Sequence, residues 1–176
     1  MQKNIDILEG INMIGLNDYR VSIMQRLLIR NNCREAHKYH MVCKAMVIRS
    51  NPRNLFAARD ISEQIAHDCG FCDEDIFDIK LAVSEALSNA MLHGSPRGRK
   101  SLVRLVFFYN SDSLRIVISD EGSFRHWQRS LDPESEGGRG LNLIARYMDE
   151  FSVKPSASGT KVTLVKSRYQ SNKACA

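Results

Sequence analysis

The chain has 176 residues, of which 43% are hydrophobic and 26% charged. This is the make-up of an ordinary globular chain with one sizeable core, not of a disordered or fibrous one. The net charge of +5 is unevenly placed: residues 1–50 hold 8 Lys/Arg against 4 Asp/Glu, and residues 51–176 hold 17 against 16. Between Arg26 and Arg49 the basic residues are scattered, with Tyr39 the one aromatic among them. Nucleic-acid binding would need a basic stripe with base-reading or stacking side chains, so no nucleic-acid partner is expected. No apolar run is long enough to span a bilayer. The opening MQKNIDILEG brings in acidic residues at once and lacks an apolar signal core, so a cytoplasmic location is expected.

Residues 1–40 have weak periodicity, apart from Val21, Met24, Leu27 and Leu28, which fit a short amphipathic helix. They are read as an extension of open role: a docking arm, a dimerisation element or a loose tail. From residue 41 the pattern sharpens. Met41–Arg49 reads as a strand, and Pro52 suits the first turn of a helix. Leu55, Ala58, Ile61, Ile65 and Ala66 recur at helical spacing up to a stop at Gly70. Asp73 is a natural N-cap for a second helix, whose apolar stripe runs Ile76, Ile79, Val83, Leu87 and which ends near Gly94.

Leu102–Tyr109 and Leu114–Ser119 are β-rich runs joined by Asn110–Ser113, a hairpin signal. Residues 120–140 are polar and glycine-bearing, the pattern of a functional loop. Leu141–Asp149 is helical, and Phe151–Lys154 and Thr160–Lys166 are strands about a turn at Pro155–Gly159. Helices and hairpins cluster instead of alternating, which predicts an α+β two-layer sandwich. Its helices should lie on one face of a mixed, largely antiparallel sheet. The tail from Ser167 is expected to fray.

The five cysteines are Cys33, Cys43, Cys69, Cys72 and Cys175. An odd count without a secretion signal predicts reduced thiols. Cys69 and Cys72 have C-x-x-C spacing, but no second ligand pair stands where zinc would need it, and a helix end is the simpler reading.

Four short elements carry chemistry. Glu85, Asn89 and His93, spaced i, i+4, i+8, make one polar stripe on the second helix. The small residues Ala86, Ala90 and Gly94 leave room beside it. An amide oxygen such as that of Asn89 is a hard ligand suited to Mg2+, and a carboxylate one turn away can accept a proton. Asp120 follows a strand directly, and its carboxylate can accept a bond from an exocyclic amine, while Gly122 permits close approach of a ligand. Gly137-Gly138-Arg139-Gly140-Leu141 opens a helix, where free N–H groups favour phosphate. Gly159-Thr160 begins the last strand with a hydroxyl in reach of the same region. Each alone has a plain structural reading, and their ordered conjunction is far more specific.

That conjunction resembles the GHKL (histidine-kinase-like, Bergerat) ATPases. Glu85-x-x-x-Asn89-Ala90-x-x-His93-Gly94 is similar to their N box, Asp120-x-Gly122 to the G1 box, and Gly138-Arg139-Gly140-Leu141 to the G2 box. The runs Asp78–Gly94 and Gly140–Asp149 resemble the anti-sigma-factor serine/threonine kinases in particular. The resemblance covers about residues 41–166 and leaves out the first forty and the tail 167–176. It implies an ATP-dependent kinase that phosphorylates a STAS-type anti-sigma antagonist and also binds a sigma factor, with ATP and Mg2+ as cofactors. It implies Glu85 as general base, Asn89 as Mg2+ ligand, and Asp120 with Gly122 at adenine. Gly138 and Gly140 would sit at phosphate, with His93, Gly94, Arg139, Leu141 and Thr160 lining the site. Arg59 matches an arginine that faces protein partners, and a homodimer is implied as well.

Two departures from the family pattern stand out. Phe124 occupies the place of a second G1 glycine, and the ATP lid is only Ser123–Gly137. The competing reading is a non-enzymatic module that sequesters a regulator. A sensor kinase's catalytic domain would need a helical phospho-acceptor hairpin, for which forty upstream residues are too few.

Overall fold

A computed structural model describes residues 41–122 and 138–168. The helix expected around Val21–Leu28, the lid Ser123–Gly137 with Phe124 and Trp127, and the tail from residue 169 lie outside the described residues. The element order is β1 (Val42–Arg49), α1 (Arg53–Asp68), α2 (Asp73–Leu92), β2 (Leu102–Tyr109), β3 (Ser113–Ser119), α3 (Gly138–Tyr147), β4 (Glu150–Ser156) and β5 (Gly159–Ser167). A 3-10 turn at Gly98–Lys100 links α2 to β2. No described helix is long and apolar enough to cross a membrane.

The strands form one sheet in the order β1-β2-β3-β5-β4, and every described pairing is antiparallel. The expected two-layer α+β sandwich is therefore found, and the sheet, expected to be largely antiparallel with some mixing, is antiparallel in every described pairing. The period of two along the strands sends alternate side chains to opposite faces. Val103, Leu105 and Phe107 of β2, Ile116 and Ile118 of β3 and Leu164 of β5 face the helices. They meet Ile65 of α1, Ile79, Val83 and Leu87 of α2 and Ile144 of α3, all at most 1% exposed. Burying a side chain of this size contributes about 1.5–3 kcal/mol, so this layer dominates the stability.

Local chemistry differs from expectation at three helix ends. Asp73 is the first residue of α2, not its cap: Cys72 holds the extended N-cap conformation without a side-chain cap bond. Asp73, Glu74 and Asp75 instead fill the first turn, where negative charge complements the helix dipole. Pro52 is the N-cap of α1, one place before the first turn expected for it. Helix α3 begins at Gly138 and ends at Tyr147, so three residues assigned to the loop are already helical.

The thiol expectation also needs correction. Cys69 is free and buried, and burial pushes its pKa up to about 11. Cys43 and Cys72, however, are disulfide-bonded.

One polar device joins three elements across the core's edge. Lys166 of β5 is 9% exposed, and its Nζ lies 3.2 Å from Asp75 Oδ1 and 3.4 Å from Asp78 Oδ2. The same ammonium donates to the Tyr147 carbonyl at 2.9 Å, the last residue of α3. A charge this buried needs such partners, and here they fix the end of α3 against α2.

Candidate nucleotide-binding site

The polar stripe of α2 lies where helix and sheet ends converge. Ala82, Ala86 and Ala90 turn into the core at 0–1% exposure, which places Glu85 and Asn89 along the flank of the helix. Asn89 is 9% exposed, and its Nδ2 is buried without any hydrogen-bond partner. An unpaired buried amide donor is costly, so an acceptor from a ligand would relieve it. The first turn of α3, Gly138-Arg139-Gly140, abuts this flank. A Cβ on Gly140 would stand 2.9 Å from Glu85 Oε2 and 3.5 Å from Asn89 Nδ2. Leu141, at 4% exposure, anchors that turn in the core. The first N–H groups of α3 lack intrahelical acceptors by the geometry of any helix, so phosphate-binding donors open next to Asn89.

The other wall is built by Asp120, Gly122 and Thr160 against the end of α2. Asp120 is 8% exposed, and its Oδ1 accepts from Gly122 N at 2.9 Å and Thr160 N at 3.0 Å. Its own N–H donates to Thr160 O at 3.0 Å. Burial raises the Asp120 pKa above the ordinary carboxylate value; the two backbone N–H donors oppose this, and the charge of Glu121 adds to it. Oδ2 is left for another donor. Thr160 is 2% exposed, with a buried Oγ1 that has no partner.

Close backbone approach explains the glycines. The α2 C-cap, His93, bonds back to Asn89 and Ala90 carbonyls. Gly94 accepts the N–H of Glu121 at 3.1 Å, and a Cβ on it would lie 2.2 Å from Asp120 Cγ. A Cβ on Gly122 would lie 2.4 Å from Gly94 Cα and 2.8 Å from the His93 carbonyl. Gly159 has φ +147°, and a Cβ there would strike the Asp120 carbonyl at 1.9 Å. Gly94→Ala should therefore displace the Asp120 carboxylate. We expect a loss of about 1–3 kcal/mol in stability, as for overpacking elsewhere, and more than tenfold in ATP affinity. Thermal melting and calorimetry on the same sample check both.

The structure thus brings together Glu85, Asn89, His93, Gly94, Asp120, Gly122, Gly140 and Thr160. Arg59 stands half-exposed on α1, and no hydrogen bond or ion pair among the described residues involves it. One support was missed from sequence. Arg97 Nη2 grips both Glu121 oxygens at 2.7 and 2.8 Å, and Glu121 also accepts the Leu102 N–H at 3.3 Å. The clamp pins the turn that carries Asp120. The acidic neighbour in Asp120-Glu121-Gly122 was its only sequence signal.

A helix flank with a carboxylate and an unpaired amide faces a glycine-opened helix and a buried aspartate, a set of donors and acceptors that suits a polar, phosphate-bearing ligand. The chain belongs to the histidine kinase-like ATPase domain family, which matches residues 48–166. Among its relatives is the serine-protein kinase RsbW of Bacillus velezensis, 34% identical over 133 residues that cover 69% of this chain and 82% of the relative. The RsbW of Bacillus subtilis is 32% identical over the same shares. Within the family, the chain is therefore an ATP-dependent kinase of the serine-protein kinase group.

Solved structures support the fold. The RsbU and RsbW domains of a Mycobacterium tuberculosis protein superpose with TM-score 0.55 at 22% identity, covering 72% of this chain and 32% of that one. A chain of the SiaB–SiaC complex from Pseudomonas aeruginosa gives TM-score 0.57 at 12% identity, covering 81% and 99%.

Proposed function

We propose that the protein is an ATP-dependent serine/threonine kinase of bacterial partner switching, which phosphorylates a STAS-type anti-sigma antagonist and holds a sigma factor. The observation that carries the catalytic part is the Glu85–Asn89 pair on one flank of α2, facing the first turn of α3. Two buried polar atoms without partners, Asn89 Nδ2 and Thr160 Oγ1, lie on opposite walls of the site and fit a polar ligand between them.

Each residue has a role in this reading. Asn89 holds Mg2+ through its amide oxygen while its nitrogen donates to phosphate. Gly138 and Gly140 present backbone N–H groups to phosphate; Arg139 adds positive charge, and Leu141 fixes the turn. Asp120 accepts the exocyclic amine of adenine on Oδ2. Gly122, Gly94 and His93 shape the base pocket, and Thr160 offers its hydroxyl to the base edge. Glu85 takes the proton from the attacking serine hydroxyl as the new O–P bond forms and the bond to the ADP oxygen breaks. Bound ATP supplies the phosphoryl group, and Mg2+ neutralises phosphate charge.

Residues 41–166 form the ATPase unit, and Arg59 on α1 meets the protein partners. The chain works in the cytoplasm. A homodimer belongs to the same reading.

Calorimetric titration of ATP with and without Mg2+ tests the site. Wild type should bind in a magnesium-dependent way, and Asn89→Ala should weaken binding at least tenfold. Wild type that binds no ATP under either condition would leave only the non-enzymatic sequestering module.

A further inference from the structure

Strand β5 touches both walls of the site. Thr160, Val162, Leu164 and Lys166 are spaced by two, so they share the face that the helices cover. At one end of that face the Thr160 N–H holds Asp120. At the other end Lys166 holds the last residue of α3 through the Tyr147 carbonyl. The opposite end of α3 is the turn that sets Gly140 beside Glu85 and Asn89.

A buried ammonium is a demanding way to close this corner. It takes Asp75, Asp78 and a carbonyl to hold it, and an apolar side chain of similar volume is often neutral or stabilising at such a place. What the ion adds is direction. Leu141, Ile144 and Met148 seat α3 in the core by apolar contact, which is non-directional. The bond from Lys166 Nζ, itself fixed by two carboxylates of α2, sets where the helix ends. A second hold acts beside it. The Asp149 N–H donates to the Val165 carbonyl at 3.0 Å, and Asp149 Oδ2 accepts the Ser167 N–H at 2.6 Å. Because α3 is one continuous helix of 10 residues, a slide at Tyr147 is a slide at Gly140. The first-turn N–H groups would then move relative to Asn89, and a misplacement of about 1 Å can cost on the order of 10²-fold. The charges agree as well: a cation at the C-terminus and phosphate at the N-terminus complement the same helix dipole.

We infer that Lys166 is a positioning residue for nucleotide binding, which sets the axial position of α3 and so the place of the phosphate-binding turn against Asn89. This rests on the reading of the site given above, with phosphate at the first turn of α3 and adenine at Asp120. It makes the two ends of the site separable. Lys166 governs the phosphate end, while the adenine end answers to Asp120 and Thr160.

The test titrates the full chain by calorimetry with ATP and Mg2+, and separately with adenosine, well below the melting temperature of each variant. Wild type should bind ATP more tightly than adenosine. Lys166→Met should lose about tenfold or more in ATP affinity and keep adenosine affinity within about twofold. Asp149→Ala removes an exposed acceptor and leaves the buried ion cluster whole, so it tests the same helix end without the risk of misfolding. It should lose about threefold or more for ATP, again with adenosine unchanged. Should Lys166→Met fail to fold, Asp149→Ala decides by the same two titrations. ATP affinity left at the wild-type value would overturn the inference and leave the reading of the site standing. Equal losses for ATP and adenosine would overturn it too, making Lys166 a general strut of the fold. Wild type that binds ATP no more tightly than adenosine would remove phosphate from the first turn of α3, and the positioning role with it.

Discussion

Glu85→Gln is expected to lower phosphoryl transfer to the antagonist serine by about 10²–10⁴-fold, the usual worth of a general base. ATP affinity should stay within about threefold. The reason lies in where the carboxylate stands. Glu85 Oε2 faces the first turn of α3, within 2.9 Å of where a Gly140 Cβ would be, and one helical turn before Asn89. It borders the phosphate end of the site, far along α2 from the Asp120 wall that meets Gly94. Glutamine keeps the shape and can still hydrogen-bond, but it cannot accept a proton. An interaction made only in the transition state lowers kcat and kcat/KM together and leaves ground-state binding alone. Single-turnover transfer of labelled phosphate to the antagonist, beside ATP titration, separates the two. Unchanged transfer would remove Glu85 as the base; lost ATP binding would make it a structural wall of the pocket.

The sequence displays this half of the site openly because it is local. Glu85, Asn89 and His93 fall on one flank by helix geometry alone, and the alanines between them mark the buried side. The other half is long-range. Asp120 Oδ1 takes its N–H donors from Gly122, two residues away, and from Thr160, forty residues away. No spacing rule links Asp120 to Thr160; only the pairing of β3 with β5 does, which sets Ser119 beside Lys161. Gly159 read as a turn residue, whereas its missing Cβ is what lets β5 touch the Asp120 carbonyl. Lys166 looked like any strand-end lysine. Its burial among Asp75, Asp78 and the Tyr147 carbonyl depends on three elements meeting, and periodicity carries no such information. Helix limits failed for a related reason: Asp73 has the chemistry of a cap, but Cys72 takes the extended backbone conformation and leaves the acids to the first turn.

Asp120→Asn is expected to move stability and function in opposite directions. Burial raises the folded-state pKa of Asp120 above its ordinary value of 3.8. A carboxyl shifted upward contributes stability below its unfolded pKa and loses that contribution as pH rises through the folded value. At neutral pH the buried carboxylate is therefore a cost to the fold. Asparagine removes the charge, and its oxygen can still accept the Gly122 and Thr160 N–H groups. The melting temperature should rise at pH 7.5, and the advantage should shrink towards zero near pH 4. In the nucleotide pocket the same change sets an NH2 where Oδ2 would accept the exocyclic amine. Two donors then face each other. A hydrogen bond to a charged group is worth about 1.5–3 kcal/mol, so ATP affinity should fall by roughly 10–150-fold. Wild-type affinity should itself weaken as pH falls, beginning above the range of an ordinary aspartate, because protonation removes the acceptor. Thermal melting at the two pH values and calorimetry with ATP read both effects. A variant that melts lower at pH 7.5 yet binds ATP unchanged would make Asp120 a clip for the β3–β5 turn and take the adenine contact away from it.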